Sequence, residues 1–231
     1  MIDITQPPAR TLIAASILSA DFGCMAEECR EILGKGADLI HVDVMDGHFV
    51  SNLTMGQDMC RGLRRHLAEA YLDVHLMIER PDLFISQFAD AGANLVSFHL
   101  EVCQPARDGG INAVSTIDQI HNAGMHAGMA INPATPVELL EPYLSQLELV
   151  LVMSVIPGRS GQKFMPEVLE KVRWLKPRIG QSTRLEMDGG LNPETAPAAV
   201  AAGADMLVSA SALFGAADRG DAITRLHVAC S

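Results

Sequence analysis

The chain alternates short apolar runs with longer segments that carry helix-start and helix-stop signals. Short runs rich in Val, Ile and Leu, closed by Gly, Pro, Asn or Asp, read as buried strands. They predict strands at 11–16, 38–43, 71–76, 95–99, 126–131, 149–153, 184–187 and 205–209. Between them the signals are helical. Asp21 caps a helix to about Leu33, with Glu27 and Glu28 in its early turns. Thr54 caps a second helix to about Leu67, and Pro81 opens a third to Ala91. Further helices are predicted at 111–122, from Thr135-Pro136 to Leu147, from Pro166 to Arg178, from Asn192-Pro193-Glu194 to Ala202, and at 218–229. The stretch 101–110 reads as irregular, and 155–164 as a glycine-containing loop.

An internal echo supports this parse. Gly36-Ala37-Asp38, Gly92-Ala93-Asn94 and Gly203-Ala204-Asp205 each stop a helix and lead into an apolar strand. A recurring turn of that kind belongs to a βα-repeat architecture. Eight β→α alternations in 231 residues, with no linker or low-complexity tract, predict an α/β fold: a single-domain (β/α)8 TIM barrel over residues 11–231 behind a tail of residues 1–10. A doubly wound open sheet is the structural alternative.

The polar positions then change the picture. Nearly every predicted strand finishes on a polar side chain: Ser16, His41 with Asp43, His75, His99, Asn132, Ser154, Asp188, and Ser209 with Ser211. In a barrel these ends share one rim, where such enzymes place their chemistry. His41 and Asp43 lie two apart, so both leave one face of their strand. Taken alone they make either a buried His–Asp hydrogen bond or half a metal site. His75 on the next strand and Asp188 across the barrel supply the other half. A set of His41, Asp43, His75 and Asp188 suits one divalent ion: Zn, Fe, Mn or Co. His99 is either a fifth ligand or a substrate contact. Asp73, two before His75, is a candidate to orient that ring.

Composition narrows the partners. A net charge of −11 without a basic cluster argues against nucleic acid and anionic membranes, and no apolar run reaches membrane-spanning length. Five cysteines without a C-x-x-C pair read as reduced thiols of a cytoplasmic protein. An acidic chain that binds an anion must attract it locally. Gly158-Arg159-Ser160-Gly161 after the sixth strand, Gly189-Gly190 after the seventh and Ala210-Ser211 after the eighth occupy the positions where barrels bind phosphate with backbone amides.

Together these stretches resemble the ribulose-phosphate 3-epimerase family. The resemblance is carried by residues 16–22, 41–50, 73–77, 132–136, 152–155, 186–190 and 211–214, in order along nearly the whole chain. It implies a metal-dependent, cytoplasmic, homo-oligomeric barrel enzyme that interconverts D-ribulose 5-phosphate and D-xylulose 5-phosphate. By motif position, His41, Asp43, His75 and Asp188 resemble its metal ligands, and Asp43 and Asp188 its two acid/base residues. Ser16 and His75 resemble substrate contacts, and Met45, Met77 and Met153 the methionines lining the site. Inversion at C3 needs a proton removed from one face and another delivered to the opposite face, which is work for two opposed carboxylates.

The chain departs from the family pattern at Ala15, Ser51, Ile156, Arg159-Ser160 and Ala210. The last three departures fall in the phosphate region. They leave open a 3-epimerase of another ketose phosphate, such as allulose 6-phosphate, and a non-catalytic sugar-phosphate-binding paralogue. Related barrel decarboxylases use Asp-x-Lys-x-x-Asp, and this chain has no Asp-x-Lys. Arg159 is expected to reach the substrate phosphate and compensate for altered backbone donors; the alternative is a solvent-facing loop arginine.

Overall fold

The apolar runs become eight parallel strands: β1 Leu12–Ser16, β2 Leu39–Met45, β3 Leu72–Met77, β4 Leu95–His99, β5 His126–Ile131, β6 Leu149–Met153, β7 Arg184–Asp188 and β8 Met206–Ser209. In this computed structural model, which describes residues 2–103 and 110–230, β1 pairs with β8 and the sheet closes into a barrel. The open-sheet alternative is thereby excluded. Most of the stretch expected to be irregular, and the terminal residues Met1 and Ser231, lie outside the described residues.

Strand side chains alternate between two environments. Ile13, Val42, Val74, Val96, Met129, Val150, Leu185 and Leu207 point outward into the main core beneath the helices. Leu12, Ala14, Leu39, Leu95, Ala130, Leu149, Leu151, Met206 and Val208 fill the barrel interior, and Ile4 joins them from the N-terminal segment. The expected tail therefore includes a buried anchor, since Ile4 is fully enclosed.

Helices α1 Met25–Gly34, α2 Gln57–His66, α3 Ile85–Asp90, α4 Ala113–Asn122, α5 Leu169–Leu175, α6 Ala196–Ala202, α7 Ser211–Phe214 and α8 Arg219–Ala229 surround the barrel. Some differ from expectation for local reasons. The segment after β5 forms two 3-10 turns, Val137–Leu140 and Leu144–Gln146, because Pro142 interrupts the helical pattern. Helix α5 stops at Leu175, two residues before Pro177. Thr54 does not cap α2, whose N-cap is Gly56. Its hydroxyl instead donates to Asp43 O at 2.7 Å and accepts from Met45 N at 3.0 Å, bracing the end of β2. Helix α7 was not expected at all.

The helix-to-strand turns share one device. Asp38, Asn94, Glu148 and Asp205 each donate their backbone N–H to a carbonyl on the preceding strand: Ile13, Leu72, Ala127 and Leu185. Each returns a side-chain oxygen to the N–H of that same residue, at 2.8, 2.8, 2.8 and 2.9 Å. Both backbone groups at the start of each odd-numbered strand are satisfied in this way. This fixes the register of successive strands, and hence the layers in which the interior side chains meet.

Candidate active site

Register brings the candidate residues together. His41 pairs with Asp73, Asp43 with His75 and Met45 with Met77 across β2 and β3, while Met153 pairs with Asp188 across β6 and β7. His41, Asp43, His75 and Asp188 each offer a ligand atom, all within 4.8 Å of one another. Asp43 is central. Its Oδ1 lies 3.4 Å from His41 Nε2 and 3.2 Å from His75 Nδ1, and its Oδ2 accepts from the Ser16 hydroxyl at 2.6 Å.

The donor chemistry fits a cation. His41 Nδ1 is 2.5 Å from Asp73 Oδ2, so that nitrogen carries a proton for the carboxylate. The ring's other nitrogen, Nε2, is buried with no hydrogen-bond partner and faces Asp43. An imidazole held by a carboxylate on one side and directed at further carboxylates on the other is the arrangement that ligates Zn, Fe, Mn or Co. Asp73 therefore orients His41, not His75 as the sequence spacing suggested. It sits on the same strand face as His75, but one layer deeper.

Burial and neighbouring charge tune these groups. Burial favours neutral Asp43, yet His41 above all, and then His75, hold its carboxyl well below the ordinary range. Burial and then the charge of Asp43 push Asp188 up to about 7. Burial disfavours a charged His41, but Asp73 and Asp43 outweigh it and keep the imidazolium well above its usual range. Burial draws His75 down to about 4, with its hydrogen bond to Asp43 opposing. The carboxyls of Asp43 and Asp188 are thus shifted in opposite directions.

Glu186, missed in the sequence, lies two residues before Asp188 and is fully buried in the layer of His41 and Asp73. Its Oε1 is 3.7 Å from His41 Nδ1, and neither oxygen has a hydrogen-bond partner. Burial and then the charge of Asp73 push its carboxyl well above the ordinary range. The period-two spacing that singled out Asp73 beside His75 applies equally to Glu186 beside Asp188.

A cavity of about 230 Å³ opens above these groups. Asp43, Asp188, Ser16, Met45, Met77, Met153, Gly158, Arg159, Ser160, Gly161, Gly189, Gly190, Ala210 and Ser211 all line it. His41 and His75 do not reach its wall; they lie beneath, fully buried. His75 Nδ1 faces Asp43 and its Nε2 is 2.9 Å from His99 Nε2, which leaves no nitrogen for substrate. His99 also lies off the cavity wall, with Nδ1 3.0 Å from Glu101 Oε2. The three methionines are almost wholly enclosed and make an apolar lining.

The far end of the cavity is shaped by backbone. Gly190, at φ 66°, leaves no room for a Cβ, which would stand 2.6 Å from Phe164 N. Ser154 clamps the same turn by donating to Gly189 O at 2.7 Å. The 155–164 loop is tied down at two points: Asn52 donates to Gly158 O at 2.9 Å, and Ser19 to Ser160 Oγ at 3.0 Å. Arg159 is exposed on this loop. Leu18, Gln162 and Asn192 also line the cavity and were not singled out in the sequence.

Comparison with known proteins agrees with this geometry. The ribulose-phosphate 3 epimerase family model matches residues 12–214. A ribulose-phosphate 3-epimerase of Bacillus subtilis is 44% identical over 219 residues, covering 93% of this chain and 97% of that protein. The cytoplasmic isoform from Oryza sativa subsp. japonica is 45% identical over 222 residues, covering 95% and 94%. Among solved structures, orotidine 5'-phosphate decarboxylase from Pyrococcus horikoshii shares the fold with a TM-score of 0.67 at 13% identity, covering 95% of this chain and 99% of that one. The match at the level of fold extends to distant barrels, whereas the match in sequence is close and nearly full length: the chain belongs to the ribulose-phosphate 3-epimerase family of isomerases.

Proposed function

We propose that the chain catalyses the metal-dependent interconversion of D-ribulose 5-phosphate and D-xylulose 5-phosphate by two-base proton transfer at C3. One observation carries this reading. Two carboxylates, Asp43 and Asp188, flank one cavity from β2 and β7, and both belong to a four-residue group fitted to hold a divalent ion. When bound by His41, Asp43, His75 and Asp188, that ion supplies the positive charge that stabilises an enediolate.

The remaining work falls to the protein's own groups. Asp43, ionised and held by the Ser16 hydroxyl, removes the C3 proton from one face of the ketose. Asp188, lining the cavity from β7, delivers a proton to the other face. The reverse reaction exchanges their roles. Met45, Met77 and Met153 exclude water from the intermediate. The amides of the Gly189-Gly190 and Ala210-Ser211 turns, with Arg159, receive the phosphate at the far end.

The test is a comparison of substrates before and after metal removal. Conversion of ribulose 5-phosphate that vanishes with a chelator and returns with Zn, Fe, Mn or Co supports the reading. A strong preference for a six-carbon ketose phosphate would move the substrate while leaving the chemistry in place. Tight binding of sugar phosphates without turnover under any metal would make the chain a binding protein.

A further inference from the structure

A line of contacts leaves His75 on the side away from the cavity and ends on a carboxylate outside it. His75 Nε2 is 2.9 Å from His99 Nε2, and the two rings stack with centroids 5.0 Å apart. His99 Nδ1 is 3.0 Å from Glu101 Oε2. Glu101 Oε1 accepts from Asn132 N at 2.8 Å and from the Thr135 hydroxyl. Lys171 is anchored on the same turn, donating to the carbonyls of Asn132 and Thr135 at 2.8 and 2.5 Å. His99 is fully buried, and neither it nor Glu101 lines the cavity.

We propose that Glu101 is a positioning residue which, through His99, fixes the tautomer in which His75 offers Nδ1 to the metal ion. The inference rests on the metal reading given above. It follows from a proton count. A neutral His75 that ligates through Nδ1 carries its only proton on Nε2. That proton points at His99 Nε2, which must then be bare. The His99 proton is therefore on Nδ1, where it needs an acceptor, and Glu101 Oε2 provides one. Carboxylates that orient ligating histidines through a hydrogen bond are a general feature of metal sites. Here the carboxylate acts one ring further out.

The count also specifies an informative substitution. Asn132 N–H can only donate, so in Glu101→Gln the amide oxygen stays with Asn132 and the NH2 group turns to His99. His99 must then accept at Nδ1 and carry its proton on Nε2. His75 in turn accepts at Nε2 and holds its proton on Nδ1, in the ligand position.

The probe is Co2+, with affinity measured by competition against a chelator on the full chain. Glu101→Gln is expected to weaken Co2+ binding by about 10- to 100-fold. Glu101→Asp, which retains a carboxylate acceptor, is expected to recover part of that loss. Long-range 1H–15N spectra of the zinc-loaded wild-type chain are expected to place the His99 proton on Nδ1 and the His75 proton on Nε2. These spectra need no variant, so the proposal stays testable if Glu101→Gln does not fold. A His99 proton on Nε2 in the loaded wild type overturns the proposal. Equal Co2+ affinity in wild type, Glu101→Gln and Glu101→Asp overturns it as well, while leaving the metal site intact. Failure of the wild type to bind Co2+ at all overturns the underlying metal reading instead.

Discussion

The buried carboxyl of Asp188 makes stability depend on pH. Its carboxyl shifts from an ordinary 3.8 to about 7, through burial and then the charge of Asp43. Between those values the folded chain holds a proton that the unfolded chain has lost, so this group's contribution to stability falls as pH rises through the window. His41, raised above its usual value, acts in the same direction: its contribution is complete below the unfolded pKa and is lost as pH rises through the folded one. His75, drawn down to about 4, acts in the opposite direction but only below its ordinary 6.5, so protein stripped of metal is expected to melt lower at pH 8 than at pH 6.5. Asp188→Asn, similar in shape and uncharged, is expected to raise the melting temperature of stripped protein at pH 8. The same variant is expected to lower kcat by roughly 10²- to 10⁴-fold. An Asn variant that melts below the stripped wild type at pH 8 contradicts this account. Metal binding has the opposite pH dependence, because the ion displaces protons from His41 and Asp188. Co2+ affinity is expected to rise from pH 6 to pH 8, and a flat profile would contradict that displacement. His41, Asp43, His75 and Asp188 were legible because strand spacing and family motifs both point to them. The partner of Asp73 was not, since register decides that it faces His41 rather than His75. Glu101 had no local signal: it lies beyond its strand, and its contacts come from β4 and the turn after β5.

At the scale of elements, the helix-to-strand turns carry the alignment on which the site depends. Asp205 accepts Leu185 N–H at 2.9 Å and faces the buried Arg184 at 3.2 Å, on the strand that ends in Asp188. Arg184 also donates to Gln181 O, but Asp205 is its counter-charge. Asp205→Ala removes that charge and leaves the Leu185 amide without its side-chain acceptor, a loss on the order of 3 kcal/mol. Urea unfolding of metal-loaded protein is the appropriate measurement, and a change below about 0.5 kcal/mol, typical of an ordinary surface site, would contradict it. The glycine-acid echo at residues 36–38, 92–94 and 203–205 made these turns visible in the sequence, while Glu148, which does the same work without the echo, was not. The missing helix after β5 had a readable cause in Pro142, whereas Thr54 resembles a helix cap and is used to brace β2. That second use depends on the loop between β2 and α2 folding back onto the strand, a tertiary event without a period of its own.

On the scale of the whole molecule, the chain is acidic while the proposed substrate is an anion. Closure of the barrel solves this by bringing the turns after β6, β7 and β8 to one end of the cavity that has Asp43 and Asp188 on its floor. Arg159 is the cavity-lining cation on that loop. Arg159→Ala is expected to raise KM for the phosphorylated ketose by about tenfold with little change in kcat, the signature of binding shared by ground and transition states. An unchanged kcat/KM would return Arg159 to the solvent. The whole account turns on C3 chemistry in a metal-held cavity, so the most direct measurement is deuterium incorporation at C3 of ribulose 5-phosphate in D2O, followed by NMR with and without a chelator. The expected result is incorporation accompanied by formation of xylulose 5-phosphate, abolished by the chelator and restored by a divalent ion. Exchange at an undiminished rate in fully stripped protein, or no exchange with any metal, would contradict it.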